Sequence, residues 1–173
     1  DWPAKLEEDL QKAGFRFESA LVHRFLAACI AKPFVLLSGN SGTGKTKLAQ
    51  LTAKWLAGNE NYTIIPVGAQ WTDNRHVVGY FNAIRQNPMT QQMGVYQPTP
   101  VLDLVVKASY RSDQPHFLIF DEMNLSHVEW YFSDFLRALE SGEPIPLHSE
   151  DEVVSDPSGR SIPSELVLPK NLV

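Results

Sequence analysis

Eight consecutive residues, Gly39-Asn40-Ser41-Gly42-Thr43-Gly44-Lys45-Thr46, satisfy the pattern G-x-x-x-x-G-K-[ST] at every position. Glycines at these spacings let backbone N–H groups turn inward around an anion, and a helix starting behind them adds a favourable dipole. Lys45 can then reach the outer phosphates of a nucleotide, and the Thr46 hydroxyl can enter the shell of a Mg²⁺ ion. All eight residues, Gly39 to Thr46, are read as cofactor-binding, with Lys45 also assigned to catalysis. The apolar run Phe34-Val35-Leu36-Leu37 predicts a strand before this phosphate-binding loop, and Lys47 to Ala57 predicts a helix after it. An accidental Gly-rich turn would not bring strand, full motif and helix together. The expected ligand is a nucleoside triphosphate with Mg²⁺.

A second group of chemical interest closes the apolar run His116-Phe117-Leu118-Ile119-Phe120, which ends in Asp121-Glu122. Two acids there can simply end a strand in solvent, so the run alone is a weak signal. About 75 residues after a complete phosphate-binding loop it gains force. An acid at the strand end holds Mg²⁺ opposite the loop hydroxyl. Thr46 and Asp121 are therefore assigned to the metal. Glu122 is placed to polarise a water for attack on the γ-phosphate, a general-base role.

Other chemistries find less support. His23, His76, His116, His127 and His148 show no metal-ligand spacing, and there is one cysteine, Cys29, so a structural transition-metal site is not expected. Cys29 lies in an apolar helical stretch and reads as a small buried hydrophobe. Ser38 and Ser41 lack a G-x-S-x-G setting. Trp55, Trp71 and Trp130 read as packing residues, with base stacking by Trp71 a lesser alternative. Arg75 and Arg85 read as solvated cations rather than phosphate contacts.

Composition bounds the rest. The 173 residues suffice for one α/β domain with a real core. A net charge of −5 leaves no global basic footprint for nucleic acid, so any DNA contact is expected through other domains or partners. No apolar run reaches membrane-spanning length and no secretory pattern opens the chain, which makes a cytoplasmic protein the expectation.

Residues 1–14 read as a polar lead-in with a short helix, and 15–173 as the nucleotide-binding core. Phe17, Leu21, Phe25 and Cys29 recur every fourth residue and predict an amphipathic helix that Pro33 stops. Tyr62 to Val67 predicts a second buried strand, and Asp73 can cap a short helix through Val78. Gly79 to Pro100 is rich in Gln, Asn, Pro and Gly and reads as a hairpin or loop insertion. Pro100 after Thr99 starts a helix to about Ser109. Ser126-His127-Val128-Glu129 is a capping-box pattern, predicting one helix through Leu139 to a stop at Gly142. Glu143 to Pro169 reads as a hairpin with a mobile tip. Strands alternating with helices predict a mostly parallel sheet covered on both faces.

Several runs resemble the AAA+ NTPase domain of McrB-type proteins, the motor subunits of modification-dependent restriction systems. They are Lys32-Pro33-Phe34-Val35-Leu36-Leu37-Ser38-Gly39, Val67-Gly68-Ala69-Gln70-Trp71-Thr72-Asp73, Gly79-Tyr80-Phe81-Asn82 and Asp121-Glu122-Met123-Asn124-Leu125-Ser126. The resemblance implies a three-layer P-loop NTPase fold with a helix-2 insertion at Gly79–Pro98 and a pre-sensor-1 hairpin at Glu143–Pro169. It adds Asn124 to the nucleotide-binding residues, as a group that orients partners around the γ-phosphate. It implies Mg²⁺-dependent hydrolysis of ATP or GTP in a homo-oligomeric ring, with a McrC-like nuclease subunit as partner. It also implies that the chain stops before the sensor-1 strand and lid, that strand lying between the P-loop strand and the Asp121 strand. Two alternatives stay open: a MoxR-like or dynein-related remodeller of proteins, and an assembly module that binds nucleotide without turnover. Glu122 argues against the last, because non-hydrolysing members commonly lose this acid.

Overall fold

The computed structural model describes residues 2–173, so Asp1 of the expected lead-in lies outside the described residues. In chain order come the helices Trp2–Lys12 (α1), Ser19–Ala31 (α2) and Lys45–Ala57 (α3), then strand Tyr62–Pro66 (β1) and helix Arg75–Val78 (α4). Strands Gly79–Gln86 (β2) and Met93–Pro98 (β3) lead to helix Pro100–Tyr110 (α5) and strand Phe117–Asp121 (β4). Helices Val128–Tyr131 (α6) and Ser133–Ser141 (α7) precede four short strands, Ile145–Pro146 (β5), Val154–Ser155 (β6), Ser161–Ile162 (β7) and Glu165–Leu166 (β8).

The centre is β1 paired in parallel with β4, Tyr62 opposite Phe117 through Pro66 opposite Asp121. Side chains alternate across these strands with period two. Phe117 and Ile119 enter one cluster with α1, α2 and α3, whereas Leu118 and Phe120 pack on another built from α5, α6 and α7. Helices thus pack on both faces of the pair, although most strand residues stay half-buried, and the layers are helix, sheet, helix.

The polar opening stretch contributes to the first of these layers. Leu6 and Leu10 of α1 are buried against α2 and α3, and the Trp55 indole donates to Asp9 Oδ2 at 3.0 Å. Burying each leucine is worth roughly 1.5–3 kcal/mol, enough to hold an 11-residue helix that would be marginal alone. In α2 the buried positions are Val22, Phe25, Leu26 and Cys29. For α5 the sequence signals hold: Thr99 is the N-cap, its hydroxyl accepts from Leu102 N–H, and Pro100 occupies the first turn.

Three expectations need correction. Phe34–Leu37 forms no strand: the backbone from 34 to 40 carries no ladder. A cavity of about 590 Å³ is lined by Val35 and Leu37 from this run and by Leu118 and Phe120 from β4, so the two do not pair. The far edge of β4 instead begins to pair with the chain's last residues, through a parallel bridge between His116 and Leu172 and a 2.9 Å bond from Leu118 N–H to Val173 O. The mostly parallel sheet is accordingly reduced to one parallel pair, and the remaining strands pair antiparallel in three separate ladders.

The single helix expected from the capping box at Ser126 is two helices, α6 and α7, divided at Phe132. Ser126 caps nothing: the helix begins at Val128 with His127 as its N-cap, and the Ser126 hydroxyl donates instead to the Trp71 carbonyl. The third correction concerns the tip of the second hairpin, which is tied down rather than loose. Asp156 is 4% exposed, and its carboxylate accepts from Ser158 N–H, Ser158 Oγ, Arg160 N–H and Arg160 Nε. Arg160 reaches on to Asp103 of α5 at 2.6 Å.

That tip also receives the first hairpin. Asn87, fully buried at the end of β2, donates through Nδ2 to Ser155 Oγ and Asp156 O, each at 2.9 Å. Its Oδ1 accepts from Met89 and Thr90 N–H, which closes the β2–β3 turn. Asn87→Ala would strand several buried polar groups at about 1–3 kcal/mol each. Hydrogen exchange is expected to show residues 87–92 and 154–162 losing protection together. Loss confined to 87–92 would mean that the contact carries no load.

Candidate functional site

The phosphate-binding loop takes its shape from left-handed backbone. Gly39, Gly42 and Gly44 all have positive φ, at 145°, 78° and 84°, a region open mainly to glycine. At Gly44, which caps α3, space is also tight: a Cβ would lie 3.0 Å from Cε1 of Phe17. Phe17 therefore braces the loop, a contact that its helical spacing alone does not reveal. Thr43 Oγ1 donates to Asn40 O at 2.9 Å. Lys45 Nζ donates to Gly39 O at 3.0 Å and Asn40 O at 2.7 Å, folding its cation back over the loop. Ser41 is exposed and lines the same cavity as Lys45 and Thr46.

Across from the loop stands the end of β4. Thr46 Oγ1 donates to Asp121 Oδ1 at 2.8 Å, although the two are 75 residues apart. The first turn of α3 places the hydroxyl, and the last residue of β4 places the acid. Asp121 O in turn accepts from Val67 N–H at 3.0 Å, which anchors the strand end to the segment after β1.

Glu122 follows in the left-handed region, at φ 56° and ψ 44°, which is uncommon for a residue other than glycine. Such a conformation costs on the order of 1–3 kcal/mol and survives only where neighbours over-determine it. It turns the chain away from the sheet and leaves the Glu122 side chain exposed at the cavity rim. Asn124 lies two residues on, exposed in the short 3₁₀ turn Met123–Leu125, and lines the same cavity.

The residues weighed and set aside also have clear places. Cys29 is buried, and burial pushes its thiol up to about 11. Trp71 is buried, stacked on His76 and edge-on to Tyr131, so it has no free face for a base. Arg75 pairs with Asp73, and Arg85 donates to Gln97. Trp130 is half exposed and sits on His127. Among the described residues no group of three His, Cys, Asp or Glu side chains could hold a metal, and no helix is long and apolar enough to cross a membrane.

A glycine loop capping a helix, a lysine folded over it, and a hydroxyl–carboxylate pair across the strand end together define a P-loop nucleotide-binding domain. Residues 34–163 match the AAA domain of the dynein-related subfamily, well over half of the chain. The chain belongs to that family, whose domains bind nucleoside triphosphates. No curated protein matches it.

Proposed function

We propose that the protein binds a purine nucleoside triphosphate with Mg²⁺ at this site, hydrolyses it, and uses the cycle to remodel another macromolecule. The observation that carries this reading is the 2.8 Å contact between Thr46 and Asp121. It brings two hard oxygen donors together beside the phosphate loop, which suits an ion held by one or two protein groups plus substrate phosphates. The absence of a three-ligand cluster is compatible with such a site. Thr46 and Asp121 would hold Mg²⁺, which supplies charge neutralisation at the β- and γ-phosphates when bound.

The chain's own residues do the rest. The loop N–H groups from Gly39 to Thr46 cradle the phosphates, and Lys45 swings from the Gly39 and Asn40 carbonyls onto the γ-phosphate. Glu122 takes the proton of the attacking water, and Asn124 orients groups around the phosphate. Phosphoryl transfer asks for positioning and electrostatics more than covalent chemistry, and these groups supply both. A homo-oligomeric ring, with an arginine from the neighbouring subunit, would complete the site.

The dynein-related family match favours a protein remodeller as the ring's work. A second reading, a McrB-like restriction motor with a McrC-like nuclease partner, rests on the runs Trp71-Thr72-Asp73 and Asp121 to Ser126. Ser126 bonds the Trp71 carbonyl, so these two runs form one structural unit. The test is titration of the intact protein with ATP and with GTP, with and without Mg²⁺. Asp121→Ala is expected to abolish the Mg²⁺ dependence of binding, and a retained dependence would remove the metal assignment.

A further inference from the structure

The turn that carries Glu122 is fastened at two points, by the Tyr131 hydroxyl and by the backbone carbonyl of Trp71. Tyr131 is buried, and its hydroxyl donates to the Met123 carbonyl at 3.1 Å, one residue after Glu122. Burial raises the hydroxyl's pKa, so it remains a donor at neutral pH. At the other end of the turn, Ser126 Oγ donates to the Trp71 carbonyl. Trp71 and Tyr131 meet edge to face, with centroids 5.2 Å apart. Trp71 is itself held against the backbone, since a Cβ on Gly68 would fall 2.9 Å from its Nε1.

A left-handed glutamate needs such restraint. Without it, the backbone at 122 would relax toward the commoner right-handed or extended regions, and the side chain would swing away from the cavity. We propose that Tyr131 is a positioning residue for Glu122, acting through the Met123 carbonyl, with Ser126 and Trp71 as the second point of attachment. The proposal rests on the hydrolytic reading of the site. It assigns a role in turnover to residues that do not touch nucleotide, and it predicts a loss in chemistry without a loss in binding. The phosphate-loop helix α3 packs in a different apolar cluster from Tyr131.

The test uses Tyr131→Phe in the intact protein, which removes one hydroxyl and keeps the ring. Misplacing a reacting group by about 1 Å can cost up to about 100-fold, so kcat is expected to fall about 10- to 100-fold. KM and the Kd for a non-hydrolysable triphosphate analogue are expected to stay unchanged. Ser126→Ala should show the same split, and it carries the test if Tyr131→Phe fails to fold. The decisive comparison adds Tyr131→Phe to Glu122→Gln. With the base gone, the hydroxyl is expected to have nothing left to position, and the second substitution should cost no further rate. Wild-type turnover in both Tyr131→Phe and Ser126→Ala, or an equal rate loss with and without Glu122, would overturn the positioning role and leave the hydrolytic reading intact. Wild-type turnover in Glu122→Gln would place the base elsewhere and overturn the positioning role, whereas an intact native protein that binds triphosphate without turning it over would overturn the hydrolytic reading itself.

Discussion

Glu122→Gln is expected to bind Mg²⁺-nucleotide as the native protein does while turnover falls by roughly 10²–10⁴, the scale of a positioned acid–base group. The substitution is close to isosteric and leaves the backbone demand at position 122 unchanged, so the left-handed turn and its fastening through Met123 should persist. What disappears is a group able to take a proton from water. Steady-state hydrolysis, measured beside titration of the analogue, separates the two effects. Native turnover in the variant would place the base elsewhere.

Lys45→Ala has the largest expected effect on binding. The ammonium now lies on the Gly39 and Asn40 carbonyls, with its stem half buried. Contacts of this charge-assisted kind contribute about 1.5–3 kcal/mol, which corresponds to roughly a 10- to 100-fold loss of triphosphate affinity. The loop also loses its internal brace, so diphosphate binding should weaken as well, though less. Calorimetric titration gives both values. Unchanged triphosphate affinity would remove the phosphate-loop assignment.

The contrast between these residues and Tyr131 shows what the sequence made legible. The loop from Gly39 to Thr46 is a local object: its spacing dictates its backbone, and the helix behind it dictates where the hydroxyl points. Asp121 was legible because an apolar strand ending in acid has few places to go once such a loop is present, and its carboxylate accepts from Thr46 at the end of β4. Tyr131 and Trp71 were not, since a buried aromatic carries the same signature whether it fills space or holds a carbonyl. Ser126 misled for a related reason. It carries the capping-box spacing, but the helix starts one residue later, with His127 as its N-cap, and the Ser126 hydroxyl is turned to the Trp71 carbonyl. Phe34–Leu37 reads as a strand from its apolar residues, yet a strand exists only beside another, and that run has no ladder partner among the described residues. Asp156 looked like part of a polar, loose tip because the four donors around its carboxylate, gathered by chain reversal, leave no trace in composition.

The clasp between Asn87 and the Ser155–Asp156 tip has a consequence for how such domains diversify. Two hairpins, joined through residues 68 apart in the chain, share one buried amide, so neither is an independent module. Replacing the first hairpin with a relative's version, without its counterpart, would remove the acceptor or the donor from a closed interior and leave the other half exposed. Chimeras should therefore be cut so that both segments travel together.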